Sequence, residues 1–389
     1  MATRYSPPDY YLIDDLLTEE EKLIRQTVRD FVEEKVTPII ARAFREERFP
    51  AELVPEVASL GLLGANIQGH GCAGLGSVAY GLILQELERG DSGLRSFVSV
   101  QGSLAMAAID LFGSEEQKER WLPRMSRGEL IGCFGLTEPD FGSNPAGLQT
   151  TARRAGSSYV LDGNKMWITN GSIADLAVVW AREEGRIKGF VVEKGSPGFS
   201  ATLQKGKWSL RASVTSELHF QECRIPEANR LPRAEGLKAA LACLNQARAG
   251  IAWGALGAAM ACYSEALEYA KSRIQFGKPI ASFQLVQEKL VGMLSDITQG
   301  QLLAHRLASL KDEDKARPEM VSLAKRNNVA MALRTARSAR EILAANGITD
   351  EYCVGRHMAN LESVYTYEGT HDIHTLIIGQ DITGIAAFS

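Results

Sequence analysis

No two of the six cysteines are spaced C-x-x-C. Cys72, Cys133, Cys223, Cys243, Cys262 and Cys353 also lack the regular framework of a small secreted domain, so a disulfide-stapled fold is excluded and reduced, packed thiols are expected. No block of like charge runs long enough to act as a tail. With Lys+Arg 43 against Asp+Glu 47 and a net charge of -4, there is no electrostatic case for nucleic acid or an anionic membrane as partner. Repeats and low-complexity tracts are absent and the charged share is 23%, which excludes intrinsic disorder and fibrous folds. The most apolar segment, Ile251 to Cys262, is too short and too Gly-rich to span a bilayer, which needs about 18 or more continuous apolar residues. The first residues, MATRYSPPDYYLIDDLLTEEE, hold no basic stretch followed by an apolar core, and their acids argue against a transit peptide. A soluble cytoplasmic protein is the expectation.

What is present is enough for a large core: 389 residues, 45% of them hydrophobic. Thr18 followed by Glu21 is a capping-box signature for a helix start. Ile24, Val28, Phe31 and Val32 continue it as a buried stripe until Pro38 interrupts the pattern. Helical signals extend to about residue 130. Between Cys133 and about Asn229 short β-rich runs alternate with Asp162-Gly163, Pro197-Gly198 and Pro226, as in an antiparallel β domain. From Gly236 helical periodicity returns, with Cys243 to Ala270 apolar on several sides and further segments at roughly 283 to 311, 318 to 345 and 354 to 387, consistent with a four-helix bundle. The expected fold is α+β: an N-terminal helical domain over 1–132, a middle antiparallel β domain over 133–235 and a C-terminal helical bundle over 236–389.

Four segments carry chemistry-bearing residues. Gly69-His70-Gly71-Cys72-Ala73-Gly74 is formally G-x-G-x-x-G, with Glu88 and Asp91 downstream, but no strand or βαβ series surrounds it, so a Gly-rich turn between helices is expected instead of a dinucleotide site. In CFGLTEPDFGSN, over 133–144, the glycines permit close backbone approach, and Thr137 and Ser143 offer hydroxyls to a flat ring or a phosphate. Lys165-Met166-Trp167-Ile168-Thr169-Asn170 adds an indole beside a hydroxyl donor. By itself the first is readable as an ordinary turn before the β domain, and for the second composition alone favours a core tryptophan. In Tyr365-Thr366-Tyr367-Glu368-Gly369-Thr370-His371-Asp372-Ile373-His374, a carboxylate followed by glycine at a break between helices can reach into a cavity. The imidazoles of His371 and His374 lack the third and fourth ligands a metal needs, so no metal site is expected.

In this order, on an α, β, α organisation, these segments resemble the acyl-CoA dehydrogenase family: FAD-dependent flavoproteins, typically homotetramers, that pass electrons to electron-transferring flavoprotein. The resemblance spans essentially the whole chain. Arg273-Ile274-Gln275-Phe276-Gly277 is similar to the family's R-x-x-F-G contact to the flavin of a neighbouring subunit, with Gln284 beyond it. ERGDSGLRS over 88–96, followed by SVQGSLAM, together with KWSLRAS, CLNQARAGIAWG and TYEGTHDIHTLIIGQDITG, resembles the branch of the family that oxidises glutaryl-CoA.

The resemblance implies Glu368 as the base that removes the α-proton of a thioester while a β-hydride leaves for the flavin. Ala247 stands where some members place that base instead, and alanine accepts no proton. Arg95 is implied to grip the distal carboxylate, which a planar guanidinium can do through two parallel hydrogen bonds, with Glu88 and Tyr367 among the polar residues around it; a salt bridge from Arg95 to Glu88 or Asp91 is the purely structural alternative. The other substrate-side residues implied are Ser96, Ser143, Asn245, Arg248 and Gly369. The FAD contacts implied are Phe134, Leu136, Thr137, Gly142, Ser143, Trp167, Ile168, Thr169 and Thr370 in one subunit, completed across an interface by Arg273, Phe276, Gln284 and the Glu341 to Ala345 stretch. Two positions depart from the family pattern: Asn144 stands for an Asp, and Ala344-Ala345 for a Gly-Gly pair. For a glutaryl thioester the implied product is crotonyl-CoA with loss of carbon dioxide. A reaction stopping at glutaconyl-CoA, another short acyl-CoA substrate, an oxidase, a flavin-free binding protein and a nicotinamide enzyme are the competing readings.

Overall fold

The computed structural model describes residues 5–387. The chain opens with helices because its caps and apolar stripes are in place. Thr18 accepts from the Glu21 amide at 3.2 Å while the Glu21 carboxylate accepts from the Thr18 amide at 2.8 Å, starting α1 (Glu19–Phe31). The helical path does not end at Pro38. A π-helical stretch, Val32–Val36, runs without a break into α2 (Thr37–Arg45), and the proline follows directly on this wider turn, in the first turn of α2. After α3 (Val54–Ser59), residues 69–74 form the expected turn, with Gly69, His70, Gly71 and Gly74 at positive φ, and α4 (Ser77–Gly90) follows.

Asp91 caps α5 (Ser92–Ser99) by accepting from the Gly93 amide at 2.7 Å. Its other oxygen is held by Arg356 at 2.6 Å and Asn360 at 3.0 Å, so this helix start is anchored to the far end of the chain. A π-helical stretch, Val100–Met106, joins α5 to α6 (Ala107–Phe112), and α7 (Glu115–Ser126) closes the first helical part.

The middle of the chain is one eight-stranded sheet: β1 (Gly132–Gly135), β2 (Thr151–Ala155), β3 (Ser158–Thr169), β4 (Leu176–Glu183), β5 (Arg186–Glu193), β6 (Phe199–Leu203), β7 (Thr215–Pro226) and β8 (Arg230–Glu235). The order is β6-β7-β3-β2-β4-β5-β8, with β1 also on β4. Most neighbours are antiparallel, as expected, but β1 and β2 each pair with β4 in parallel, so the sheet is mixed. Those strands are joined by long excursions, which local alternation cannot reveal. The β3–β7 register slips between Lys165 and Ile168, and Trp167 occupies that slip.

The last part begins with the 36-residue α8 (Leu237–Ser272), buried over most of its length. A small hairpin, β9 (Ile274–Gln275) and β10 (Lys278–Pro279), precedes α9 (Gln284–Asp312) and α10 (Pro318–Leu343). The expected fourth segment is two helices, α11 (Cys353–Thr366) and α12 (His371–Thr383), broken at Tyr367 to Thr370. One apolar cluster takes Leu104 and Trp121 from the first part, Phe134, Val178 and Trp180 from the sheet, and Ala240 and Cys243 from α8, so the three parts share a core. Among the described residues no helix is long and apolar enough to cross a membrane.

Candidate active site

The break between α11 and α12 presents the carboxylate. Tyr367 ends α11, Glu368 and Gly369 take left-handed φ of 52° and 88°, and Thr370 starts α12 by accepting from the Ile373 amide at 3.1 Å. Glycine takes such a φ freely; a glutamate there is strained and must be held. Arg248 Nε donates to the Glu368 carbonyl at 2.8 Å, and His374 Nε2 lies 3.2 Å from the same oxygen. A carbonyl only accepts, so Nε2 carries the proton, while Nδ1 sits 3.0 Å from the Ser322 hydroxyl. Burial first, then Lys325 and Arg248, push this imidazole down to about 3, so it stays neutral. Tyr365 and His371 stack across the break, ring centroids 4.4 Å apart.

The Glu368 carboxyl is buried, and its Oε2 has no hydrogen-bond partner. Burial raises its pKa above the ordinary carboxylate value, against the opposing charges of Arg95, Arg248 and Lys325. A carboxylate that is desolvated, unpaired and faced by cations has the properties of a general base.

Beyond it, on α4 and α5, lies a buried ion pair. Arg95 Nε donates to Glu88 Oε2 at 2.6 Å, and Ser92 donates to Glu88 Oε1 at 2.8 Å. Arg95 Nη2 donates to the Tyr367 hydroxyl, which also lies 3.4 Å from Ser96 Oγ. Burial opposes the guanidinium charge, but Glu88, Tyr367 and Glu368 outweigh it and raise the Arg95 pKa. Gly254 of α8 makes room for this pair: a Cβ there would stand 2.0 Å from Glu88 Oε2. The structure thus brings Glu88, Arg95, Ser96, Arg248, Tyr367, Glu368 and Gly369 together, with Asn245 Oδ1 3.5 Å from Arg248 Nη1.

A second group gathers where the sheet meets this region. Phe134, Leu136 and Ile168 are buried, and the Met166 amide donates to the Thr137 carbonyl at 2.9 Å, joining the 134–143 segment to β3. Trp167, at φ 62°, is 60% exposed. Gly142 and Ser143 are exposed, and nothing lies within 4 Å of where a Cβ on Gly142 would stand. A largely exposed indole two residues before Thr169 is a surface that a flat cofactor ring fits.

Arg273, Phe276, Gln284, Glu341 and Ala345 are not brought to that surface by any hydrogen bond or ion pair among the described residues. They are exposed on the last helical part, Phe276 at 92%.

Three residues without an assigned role hold these groups. Lys165 is fully buried, donating to Glu138 at 2.8 Å and to the Leu136 carbonyl at 3.2 Å, while Glu138 also accepts from the Gln149 and Thr150 amides. Burial lowers Lys165 to about 8. Lys325 donates to the carbonyls of Tyr367 at 3.2 Å and Gly369 at 2.9 Å. A signal existed for it: Val321, Lys325, Asn328 and Ala332 follow one helical face, placing a lysine among buried positions.

Models of the acyl-CoA dehydrogenase N-terminal, middle and C-terminal domains match residues 18–129, 133–223 and 234–383. The chain belongs to the acyl-CoA dehydrogenase family. Over 369 residues it is 37% identical to the short-chain specific acyl-CoA dehydrogenase, mitochondrial, of Rattus norvegicus, covering 93% of this chain and 90% of that relative. A crystal structure of glutaryl-CoA dehydrogenase from Mycobacterium smegmatis superposes with a TM-score of 0.96 at 57% identity, covering 97% of this chain and 98% of that one. A glutaryl-CoA dehydrogenase from Mycobacterium smegmatis in complex with FADH2 superposes at 0.97 with 52% identity, covering 99% of this chain and 100% of the other.

Proposed function

We propose that this acyl-CoA dehydrogenase is specific for glutaryl-CoA and converts it to crotonyl-CoA and carbon dioxide. The observation that carries the reading is the buried guanidinium of Arg95, next to Ser96 and Tyr367 and within electrostatic reach of Glu368. A cation buried near the base selects a substrate with a second, distal carboxylate, because an uncharged acyl chain offers it neither a counter-charge nor a further acceptor.

FAD is the cofactor, and the open surface beside Gly142, Trp167 and Thr169 suits it. When bound, it supplies the acceptor for the β-hydride. The hairpin carrying Arg273 and Phe276 is exposed in a way that suits contact with a neighbouring subunit's cofactor, which supports a homotetramer. The physiological acceptor is electron-transferring flavoprotein, and the compartment is cytoplasmic.

Glu368 takes the α-proton of the thioester; its raised pKa makes it a stronger base than an exposed carboxylate. Oxidation leaves the distal carboxylate attached to a carbon next to the new double bond. The C–C bond to the carboxylate then breaks, its electron pair enters the conjugated thioester, and the proton held by Glu368 goes to the γ-carbon. Arg95 must orient this carboxylate without locking it. Its existing pairing with Glu88 at 2.6 Å weakens its hold on the second anion, which favours departure as neutral carbon dioxide.

The test is the mass of the acyl-CoA product after purified protein reacts anaerobically with glutaryl-CoA and an artificial electron acceptor. Crotonyl-CoA is expected. Glutaconyl-CoA as sole product would remove the decarboxylation, and unreacted glutaryl-CoA would remove the substrate assignment.

A further inference from the structure

We propose that Lys325 is a positioning residue for the base, clamping the strained Glu368 backbone and setting the charge behind its carboxylate. The inference rests on the reading of Glu368 as the base. The carbonyls of three successive residues are all taken from behind: those of Tyr367 and Gly369 by Lys325, and that of Glu368 by Arg248 and His374. Lys325 bridges the peptide group before Glu368 and the one after Gly369, so Glu368 lies inside the span. Rotation of Glu368 out of its left-handed conformation turns at least one of these carbonyls away from the ammonium.

The cost of this arrangement argues that it does something. Lys325 is only 1% exposed, and its hydrogen bonds go to neutral carbonyls, not to a carboxylate. A buried ammonium without a paired anion is expensive, and an apolar side chain of the same length would fit the core of α10 at lower cost. The charge nearest to it in effect is Glu368 itself, which favours its protonated state, while Arg248 and Arg95 disfavour it and burial brings it down to about 7. The groups facing the Glu368 carboxylate are Tyr80 of α4, Arg95 of α5, Arg248 of α8, Lys325 of α10 and Tyr367 beside it, while His374 of α12 meets its backbone carbonyl. Removing Lys325 therefore removes one of three cations opposing the effect of burial.

The experiment uses full-length, FAD-loaded Lys325→Met and Lys325→Arg proteins beside the parent, with Glu368→Gln as control. Turnover is measured with glutaryl-CoA and with butyryl-CoA across the pH range. In K325M, kcat falls about tenfold or more while KM changes by about twofold at most, because a displaced base harms the chemical step and not thioester binding. The acidic limb of the kcat profile moves to higher pH, since loss of a cation destabilises the carboxylate; a purely structural lysine would not move it. In K325R the charge stays and so does the limb, but kcat falls, because a planar guanidinium does not fit the span between two carbonyls. A limb unmoved in K325M overturns the inference, and if K325M does not retain flavin, a parental kcat in K325R overturns it. Turnover by E368Q would instead overturn the reading of the base.

Discussion

Arg95 Nε donates to Glu88 Oε2 at 2.6 Å, and both side chains are completely buried on adjoining helices. Glu88 lies in the last turn of α4 and Arg95 in the first turn of α5, so the pair spans the bend at Asp91. The arginine is therefore both a structural partner and the candidate carboxylate anchor, and the two roles separate by mutation. Arg95→Met leaves Glu88 buried without a counter-charge and is expected to cost about 3–5 kcal/mol of stability. Adding Glu88→Gln recovers most of that loss in a thermal melt. Turnover of glutaryl-CoA stays low in both variants, whereas an unrecovered melting temperature would show that the pair is not the source of the loss.

Glu138→Ala strands Lys165 in the core beneath the 134–143 segment. The expected loss is about 3–5 kcal/mol, as for any broken buried pair. Because the lysine also holds the Leu136 carbonyl, the segment next to Trp167 loosens with it. The purified variant should hold less than the parental ratio of flavin to protein by absorbance, and a parental ratio would place the segment outside the cofactor site.

Ala344 sits at φ 52° and ψ -124° at the end of α10, a conformation that glycine adopts without strain. Ala344→Gly is therefore expected to stabilise the protein by about 1 kcal/mol, since relief of the left-handed strain exceeds the entropy glycine adds to the unfolded chain. Differential scanning calorimetry reads this directly as a higher Tm; a lower Tm would mean that the strain is relieved elsewhere.

The raised pKa of Glu368 has a defined sign in stability. Its ordinary value is 4.5, and burial holds the folded value higher, so at neutral pH the folded chain bears the cost of an ionised, buried carboxylate. As pH falls through the folded pKa the native state binds a proton that the unfolded chain does not yet hold, and stability rises relative to a variant lacking the group. Below the ordinary value both states are protonated and no further change follows. Glu368→Gln should accordingly melt higher than the parent at neutral pH, the gap closing as the pH is lowered, while turnover drops by at least about a thousandfold. A gap that stays constant with pH would mean that the carboxyl is not shifted.

Much of the fold was legible because the signals are local. The Thr18–Glu21 capping box, the Gly-rich turn at 69–74, the change from helical to alternating periodicity near Cys133 and the break at Tyr367 to Thr370 each depend on residues a few positions apart. Hydrogen bonding of short side chains, glycine's freedom at positive φ and the two periodicities act over that range. The helix that carries on past Pro38 was not legible, because a proline ends a helix only where the turn before it cannot widen, and here a π-helical stretch precedes it. Nor were the parallel pairings of β1 and β2 with β4, which join strands far apart in sequence.

At the site, the sequence by itself determined a carboxylate before glycine at a helix break and an indole beside a hydroxyl, and its resemblance to the family singled out Arg95. Only the tertiary structure decided what those residues do to one another. It paired Arg95 with Glu88, left one Glu368 oxygen without a partner, and placed Lys325 behind it, from a helix whose sequence shows only a lysine on a buried face. The reason is physical: a side chain's pKa and freedom depend on burial and on charges within a few ångströms, and those neighbours come from α4, α5, α8 and α10, which approach one another only once the core has formed.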